Sequence, residues 1–324
     1  DTMKRHIHYL LILFITIYGL SAQNWTDTLY HPRNVVLEEF TGIYCGACPN
    51  GHVVAHEIDS ANPGRVVVVG IHTSDNYSKP HPGSGHPDFR APWVSKIYSQ
   101  ASCWYFPTAM VNRTLFDYGL CSSDTGVNKG MTRGSWAEAS NEILADDSAE
   151  VNIGVRSLWN ESTSTLSIDV ELYYHNSQNI NNRLNIALSE NNLIGYQSSG
   201  GNDYEHNHVL RYMISSDSSN TWNGVKVDNI VPGEWQTFHF DYYVNTAQDT
   251  LIFEHTGYGH IDTVYRESIN IDNCELAVYV TDFSSSNIHT GVAIHAKNDS
   301  TNSEPSSLSE NIQSNKKLKV YPNP

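Results

Sequence analysis

Apolar residues in the first half of the chain fall in short unbroken runs, whereas in the second half they alternate with polar ones; the texture changes near Ala149. Val35 to Phe40 predicts a strand, Cys45 to Ala61 a helix with Val54, Ile58 and Ala61 on one apolar stripe, and Arg65 to Ile71 a second strand. The run Val66-Val67-Val68-Val69 has no alternation, which suits a parallel strand covered on both faces by helices, so the three elements read as a βαβ unit. A loop rich in His, Pro and Gly follows from Thr73 to Pro92. After it come a helix around Trp93 to Ala101, a short strand opened by Phe106-Pro107-Thr108 and running to Asn112, and a last helix over Thr132 to Ala145.

Beyond Ala149 the sets Val151, Ile153, Val155, then Leu166, Ile168, Val170, Leu172, then Leu184, Ile186, Leu188 have the period-two spacing of half-buried strands. Phe238 to Val244, Leu276 to Val280 and Val292 to Ile294 add further strands, and helical periodicity is nearly absent, so an antiparallel β-sandwich is expected. Gly195 to Gly233 is less regular and reads as a long excursion from it. Residues 298–317 are Ser, Asn, Asp, Glu and Lys with few apolar groups, the composition of a linker that cannot bury enough surface to fold. Strand-like character resumes in Leu318-Lys-Val-Tyr-Pro-Asn-Pro324.

At the other end, Lys4 and Arg5 precede an apolar run from Ile7 to Leu20 that closes on Ser21 and Ala22, the pattern of a signal peptide cleaved after Ala22. The run is shorter than the roughly 20 residues of a membrane span and holds His8, Thr16 and Gly19. No cysteine lies beside the cleavage site to carry a lipid, and no later segment is apolar enough to span a bilayer. The mature chain is therefore expected in an exported, oxidising setting: outer membrane, cell surface or extracellular. A length of 324 residues favours two domains. With 19 Lys and Arg against 35 Asp and Glu, the formal charge is -16 and no basic stripe interrupts it, which excludes nucleic acid as an expected partner.

The chemistry concentrates in Glu38-Glu39-Phe40-Thr41-Gly42-Ile43-Tyr44-Cys45-Gly46-Ala47-Cys48, where a strand feeds through a short loop into a helix. Placed at a helix start, Cys45 has unpaired backbone N–H groups and the positive end of the dipole beside it, which favour the thiolate. Cys48, one turn later, is positioned to resolve a mixed disulfide on Cys45. Glu39 shares a strand face with Val35 and Leu37; a carboxyl on an apolar face has a raised pKa, as a proton shuttle requires, whereas at a solvated strand end it would be ordinary.

These residues resemble the thioredoxin superfamily, and the resemblance extends to Phe106-Pro107-Thr108, where that family has a cis-proline facing the redox pair. It implies that Pro107 is cis and shapes the substrate groove. Ala47 and Tyr44 depart from the proline and tryptophan common in thioredoxins. The fold class expected is an α/β thioredoxin-like domain followed by an all-β antiparallel sandwich. At a finer level the chain is similar to the twenty-eight-kilodalton outer-membrane-protein family of Bacteroidetes, through Val36-Leu-Glu-Glu-Phe-Thr-Gly42 with Cys45-Gly-Ala-Cys-Pro49, Phe106-Pro-Thr108 with Asn112-Arg113, and His206-Asn-His-Val-Leu-Arg211, over roughly residues 30 to 297. Leu318 to Pro324 resembles the opening of the C-terminal sorting domain of type IX secretion, the rest of which is missing. The division expected is 1–22 signal peptide, 23–148 thioredoxin-like domain, 149–297 β-sandwich domain, 298–317 linker and 318–324 the start of the truncated sorting domain.

Cys103 and Cys121 flank the expected cis-proline strand and would bridge if their geometry allows, while Cys274 reads as a small buried apolar residue. Four paired cysteines allow three connectivities, so the pairing stays open. Cys48, His52 and His56 lie a turn apart on one helix, His72, His81 and His86 surround a loop that could cover the redox pair, and His206 and His208 would share a strand face. Surface or hydrogen-bonding histidines are the expected reading, with no metal and no cofactor. Three functions remain: thiol/disulfide exchange on extracytoplasmic proteins through Cys45, Cys48, Glu39 and Pro107; a surface binding or adhesion protein in which the cysteine pair is a static staple; and metal handling.

Overall fold

A computed structural model of the chain describes residues 24–73, 76–121, 128–176, 181–215, 222–246, 249–255, 260–266 and 268–297. The expected signal segment 1–22, linker 298–317 and terminal residues 318–324 lie outside the described residues.

The βαβ unit forms from the runs that predict it. Strand β1 (Val35–Thr41) passes through a tight turn into helix α1 (Cys48–Ala61), and the chain returns in β2 (Val66–His72), parallel to β1 with Val35 opposite Val66. Both strands are buried along their whole length, β2 as its unbroken valine run predicts and β1 despite Glu38, Glu39 and Thr41. The helix starts three residues later than the sequence predicts. Cys45-Gly46-Ala47 form a turn instead, and Pro49, with φ already fixed and no N–H to leave unpaired, suits the first helical turn. The buried stripe is Cys48, Gly51, Ala55 and Ile58; Val54 is half-buried and Ala61 exposed, so the stripe is rotated from the one expected.

Helix α2 (Val94–Ala101) leads to β3 (Thr108–Val111), antiparallel to β1, and β4 (Met131–Thr132) pairs antiparallel with β3. Thr132 thus belongs to a strand rather than to the last helix, which begins only after a 3-10 turn, as α3 (Trp136–Leu144). Trp136 pins that helix, fully buried with its indole N–H donating to the Met131 carbonyl at 3.1 Å.

The second half is nearly all strand. β5 (Val151–Asn160), β6 (Thr165–Tyr174) and β12 (Trp235–Tyr243) form a three-stranded antiparallel sheet. β7 (Asn182–Glu190), β10 (Val209–Met213), β11 (Val225–Val227), β15 (Cys274–Asp282) and β16 (Ile288–His295) instead extend the first sheet, in the order β16-β15-β7-β10-β2-β1-β3-β4 with β11 also on β7. The join is narrow: Val209 aligns with Gly70, whose N–H donates to the His208 carbonyl at 2.7 Å. A Cβ on Gly70 would stand 3.2 Å from that oxygen, so glycine permits the approach. Two hairpins complete the chain, β8 (Leu193–Gln197) with β9 (Gly201–His206), and β13 (Asp249–His255) with β14 (His260–Arg266). The stretch expected as an irregular excursion therefore contains four strands, β8 to β11.

One core joins Ile153 of β5 and Ile168, Val170 and Leu172 of β6 to Ile186, Leu188, Leu276 and Val278 of the long sheet. On the other face of that sheet, Ala187, Leu210, Ala277 and Tyr279 pack with Val36, Phe40, Ile71 and Ile97. The apolar core therefore runs across the boundary expected at residues 148 and 149. A polar clamp follows the same route. Asn112 accepts from Val36 N–H at 2.8 Å and donates to Asn34 O and Ile288 O, while the fully buried Arg113 holds both carboxylate oxygens of Glu38 at 2.7 and 2.6 Å and reaches Tyr279 Oη at 3.3 Å. The chain is mostly β with three α-helices among the described residues, none of them long and apolar enough to cross a membrane.

Candidate functional site

Cys45 lies in the turn between β1 and α1 and is disulfide-bonded to Cys48, the first residue of the helix, with their Cα atoms 5.4 Å apart. The Cys48 N–H donates to the Cys45 carbonyl at 3.3 Å, closing that turn. Cys48 is fully covered and Cys45 is only 3 % exposed.

Glu39 is placed by the strand register at the centre of the sheet below α1. Its neighbours across the sheet are Gly70 and Ala109, and its side chain rises on the face that carries Val35 and Leu37 toward α1. The Phe106–Pro107 peptide bond is cis, as the resemblance implies. Gly51 brings these parts into contact: a Cβ there would stand 2.6 Å from Glu39 Oε1 and 2.7 Å from Pro107 Cβ. Gly51→Ala is accordingly expected to cost about 2 kcal/mol by overpacking, an effect to be read from chemical unfolding of the oxidised protein. Glu39 is 3 % exposed, its Oε1 has no hydrogen bond, and burial pushes its pKa up to about 8.

His52, one turn after Cys48, approaches that carboxyl, with Nε2 3.9 Å from Glu39 Oε1. Its ring bonds Thr41 Oγ1 through Nε2 and Tyr204 Oη through Nδ1, both at 2.8 Å. Burial, and secondarily the charge of His208, lowers its pKa to about 4, so the ring is neutral at physiological pH. His72 is buried with neither ring nitrogen hydrogen-bonded, held edge-on by Phe89 and His206, and burial keeps it well below the usual imidazole range.

The pair is roofed by the β8–β9 hairpin from the second half of the chain. Gln197 Nε2 donates to the Cys45 carbonyl at 2.9 Å and to the Gly42 carbonyl at 3.2 Å, and Ser198 N–H donates to the Ile43 carbonyl at 2.7 Å. Ser199 Oγ would stand 3.1 Å from a Cβ placed on Gly46. Tyr196 stacks on His86 at 3.9 Å, and Tyr44, stacked on His81 at 4.0 Å, bonds His86 Nδ1 through its hydroxyl at 3.1 Å. The loop of His81 and His86 thus flanks Tyr44 and the hairpin.

The histidine groupings expected from spacing resolve differently. His56 is exposed and bonds Ser60, away from Cys48 and His52. His206 ends β9, buried against Phe89, whereas His208 (φ 55) turns the chain into β10 and pairs with Glu275 at 3.3 Å, so the two do not share a strand face. Among the described residues no three His, Cys, Asp or Glu side chains converge to hold a metal ion. Cys103 and Cys121 are disulfide-bonded, and Cys274 is a buried free thiol whose pKa burial raises. Sequence reasoning missed Gln197, Ser198, Tyr204 and the Glu38–Arg113 pair; Arg113 had a motif to mark it, but the hairpin residues had none.

The sequence pattern of the family described as outer membrane protein Omp28 matches residues 95–251, a narrower span than the resemblance read from motifs. It includes Pro107, Arg113 and the hairpin, and leaves Cys45, Cys48 and Glu39 outside. No curated protein matches the chain. Among solved structures it is similar to HBP35 of Porphyromonas gingivalis, at 18% identity and a TM-score of 0.59, covering 91% of this chain and 84% of that one. A domain of the outer membrane lipoprotein Omp28 from Porphyromonas gingivalis is matched at 14% identity and a TM-score of 0.28, covering 46% of this chain and 89% of that one. Residues 95–251, the span that carries the cis-proline, the buried arginine and the β8–β9 hairpin, are similar to the Omp28 family of outer membrane proteins.

Proposed function

We propose that the chain is a thioredoxin-like thiol/disulfide exchange protein acting on extracytoplasmic proteins at the outer membrane or cell surface. The observation that carries this reading is the packing of the Glu39 carboxyl and the cis-proline Pro107 around Gly51, three residues after the Cys45–Cys48 disulfide on the same helix. The parallel pair β1–β2 joined through α1, followed by antiparallel β3 and β4 and by α3, also supports a thioredoxin-like unit. The β5–β6–β12 sheet, facing strands of the long sheet across a shared core, supports a sandwich-like second half.

In this reading a client thiolate attacks Cys45 Sγ, the Cys45–Cys48 bond breaks, and Cys48 leaves as a thiolate that takes a proton from neutral Glu39. A second client thiolate then attacks the mixed disulfide, releasing the client disulfide and the Cys45 thiolate. The client loses two electrons and the Cys45/Cys48 pair gains them. In the reverse direction Glu39 receives the Cys48 proton as that sulfur resolves the mixed disulfide. A pKa of about 8 lets one carboxyl serve both directions near neutral pH. Pro107 borders the groove in which the client lies.

Cys45→Ser is expected to reduce insulin turnover to background, while Cys48→Ser traps mixed disulfides; full activity in Cys45→Ser sinks the reading. A second reading, a binding protein with a static disulfide, is favoured by the near-complete cover over Cys45. The reduction potential separates them: about -120 to -270 mV is the range of exchange-active pairs, whereas a value below about -300 mV marks a structural staple.

A further inference from the structure

We propose that the β8–β9 hairpin is an internal occupant of the client site: its tip holds the place of an extended client polypeptide on the Gly42–Cys45 loop, and a client docks by displacing it. The inference rests on the thiol-exchange reading and names how that site is closed and what opens it.

The hairpin is an outgrowth of the long sheet. β7 and β10 are antiparallel neighbours, with Val209 opposite Glu190, and the hairpin is the connection between them. At its base the chain turns through two residues with positive φ, Asn192 (59) and His208 (55). Those turns are fastened by side chains: Asn207 Oδ1 accepts from Asn192 N–H at 2.8 Å, and Asn191 Oδ1 accepts from His208 N–H at 2.7 Å. A two-stranded hairpin is marginal by itself; its base is held by Leu193, Tyr196 and His206 against Phe89 and His86, and its tip by contact with the loop it covers.

That contact has the character of peptide recognition. Three hydrogen bonds, two from the Gln197 side-chain amide and one from the Ser198 N–H, reach the backbone carbonyls of Gly42, Cys45 and Ile43 in one four-residue loop. Such acceptors are read by any N–H donor, so an extended polypeptide can take them over whatever its sequence, as in recognition by strand addition. A partner that must present its own cysteine to Cys45 needs this kind of sequence-independent hold. The hairpin also reaches the chemistry behind the loop, because Tyr204 Oη bonds the His52 ring that neighbours Glu39. Lifting the tip therefore uncovers Cys45 and frees His52 in one movement.

If only a fraction of molecules is open, the apparent client affinity falls by that fraction. The test uses the full mature chain. Reduced protein is alkylated with iodoacetamide and the rate at Cys45 is followed by peptide mass mapping, at the high-pH plateau where the rate reads access rather than thiol pKa. Gln197→Ala removes the two bonds to Gly42 and Cys45 and Tyr204→Phe the one to His52, each a change on the order of five- to tenfold in the open population. Alkylation of Cys45 is expected to rise by that factor in both, and the KM for insulin in the dithiothreitol-driven assay to fall by the same factor with kcat little changed.

Equal alkylation in wild type and both variants overturns the proposal, and so does faster alkylation with unchanged KM, since the client would then not compete with the hairpin. Faster alkylation in a protein none of whose forms reduces insulin leaves a cover over Cys45 and removes the exchange reading instead. Active enzyme with neither rate altered keeps the exchange reading and removes the hairpin's role.

Discussion

At pH 8 and above, the Glu39→Gln protein is expected to be more stable than the wild type by several kcal/mol, and near pH 4.5 the two are expected to unfold at similar denaturant concentrations. Burial raises the folded-state pKa of Glu39 to about 8 from an ordinary value of 4.5. Below pH 4.5 the carboxyl is protonated in both states and no penalty exists. As pH rises from there, the unfolded chain releases the proton while the folded chain keeps it, so stability falls at about 1.4 kcal/mol per pH unit until the folded pKa is passed. The full loss is roughly 5 kcal/mol, complete near pH 8, and the amide cannot undergo it. Urea unfolding of oxidised protein at pH 5 and pH 8.5 measures the effect; parallel stability profiles for the two proteins would show that Glu39 ionises freely in the fold. The same substitution removes the proton acceptor of the proposed mechanism, so a gain in stability and a loss of exchange rate are expected together.

The second large effect is expected at Arg113. It is fully buried and bidentate to an almost fully buried Glu38, with Tyr279 as a further partner. Burial by itself would lower the guanidinium pKa, but the Glu38 charge outweighs it and the net shift is upward, so the guanidinium stays charged. Removing one member strands the other charge without solvent: Arg113→Met is expected to cost about 3–5 kcal/mol. Removing both is different. Glu38→Leu with Arg113→Met leaves no buried charge and is expected to recover most of that loss, because two well-packed apolar side chains replace a pair that was costly to desolvate. A double-mutant cycle by chemical unfolding reads the difference, and additive losses would contradict a direct ionic coupling.

The parts of this fold legible in the sequence were those set by local pattern. The apolar Val35-Val36-Leu37 start marked β1, the unbroken Val66–Val69 run marked β2, the period-two sets marked β5, β6 and β7, and the Cys45-Gly-Ala-Cys48 spacing marked the disulfide-bonded pair. For Glu39 the apolar strand neighbours Val35 and Leu37 indicated an apolar face, but the sequence left a solvated strand end equally open, because burial depends on the helix packed above it. The hairpin was not legible for a similar reason. Gly201-Asn-Asp-Tyr-Glu-His206 is polar on nearly every position, and what orders it is a distant backbone, Gly42 to Cys45, that no local window contains. The start of α1 was misplaced because Cys45 is tied to Cys48 by a turn that helical periodicity alone does not distinguish from a first helical turn. The continuation of the first sheet into β10, β7, β15 and β16 escaped sequence reading too, since strand alternation reports which face is buried and says nothing of which strand lies beside it.

The seam at Gly70 and His208 bears on how such a protein can be dismantled. Cut after residue 148, the first half would keep β1 to β4 but lose the cover of Ala187, Leu210, Ala277 and Tyr279 over Val36, Phe40 and Ile71. It would also present the valine-rich β2 as a bare sheet margin, a template for self-association. The half of the chain that carries Cys45 and Cys48 is therefore expected to behave as an inseparable part of a larger body rather than as a transferable cassette, and truncation experiments intended to isolate it would report on aggregation.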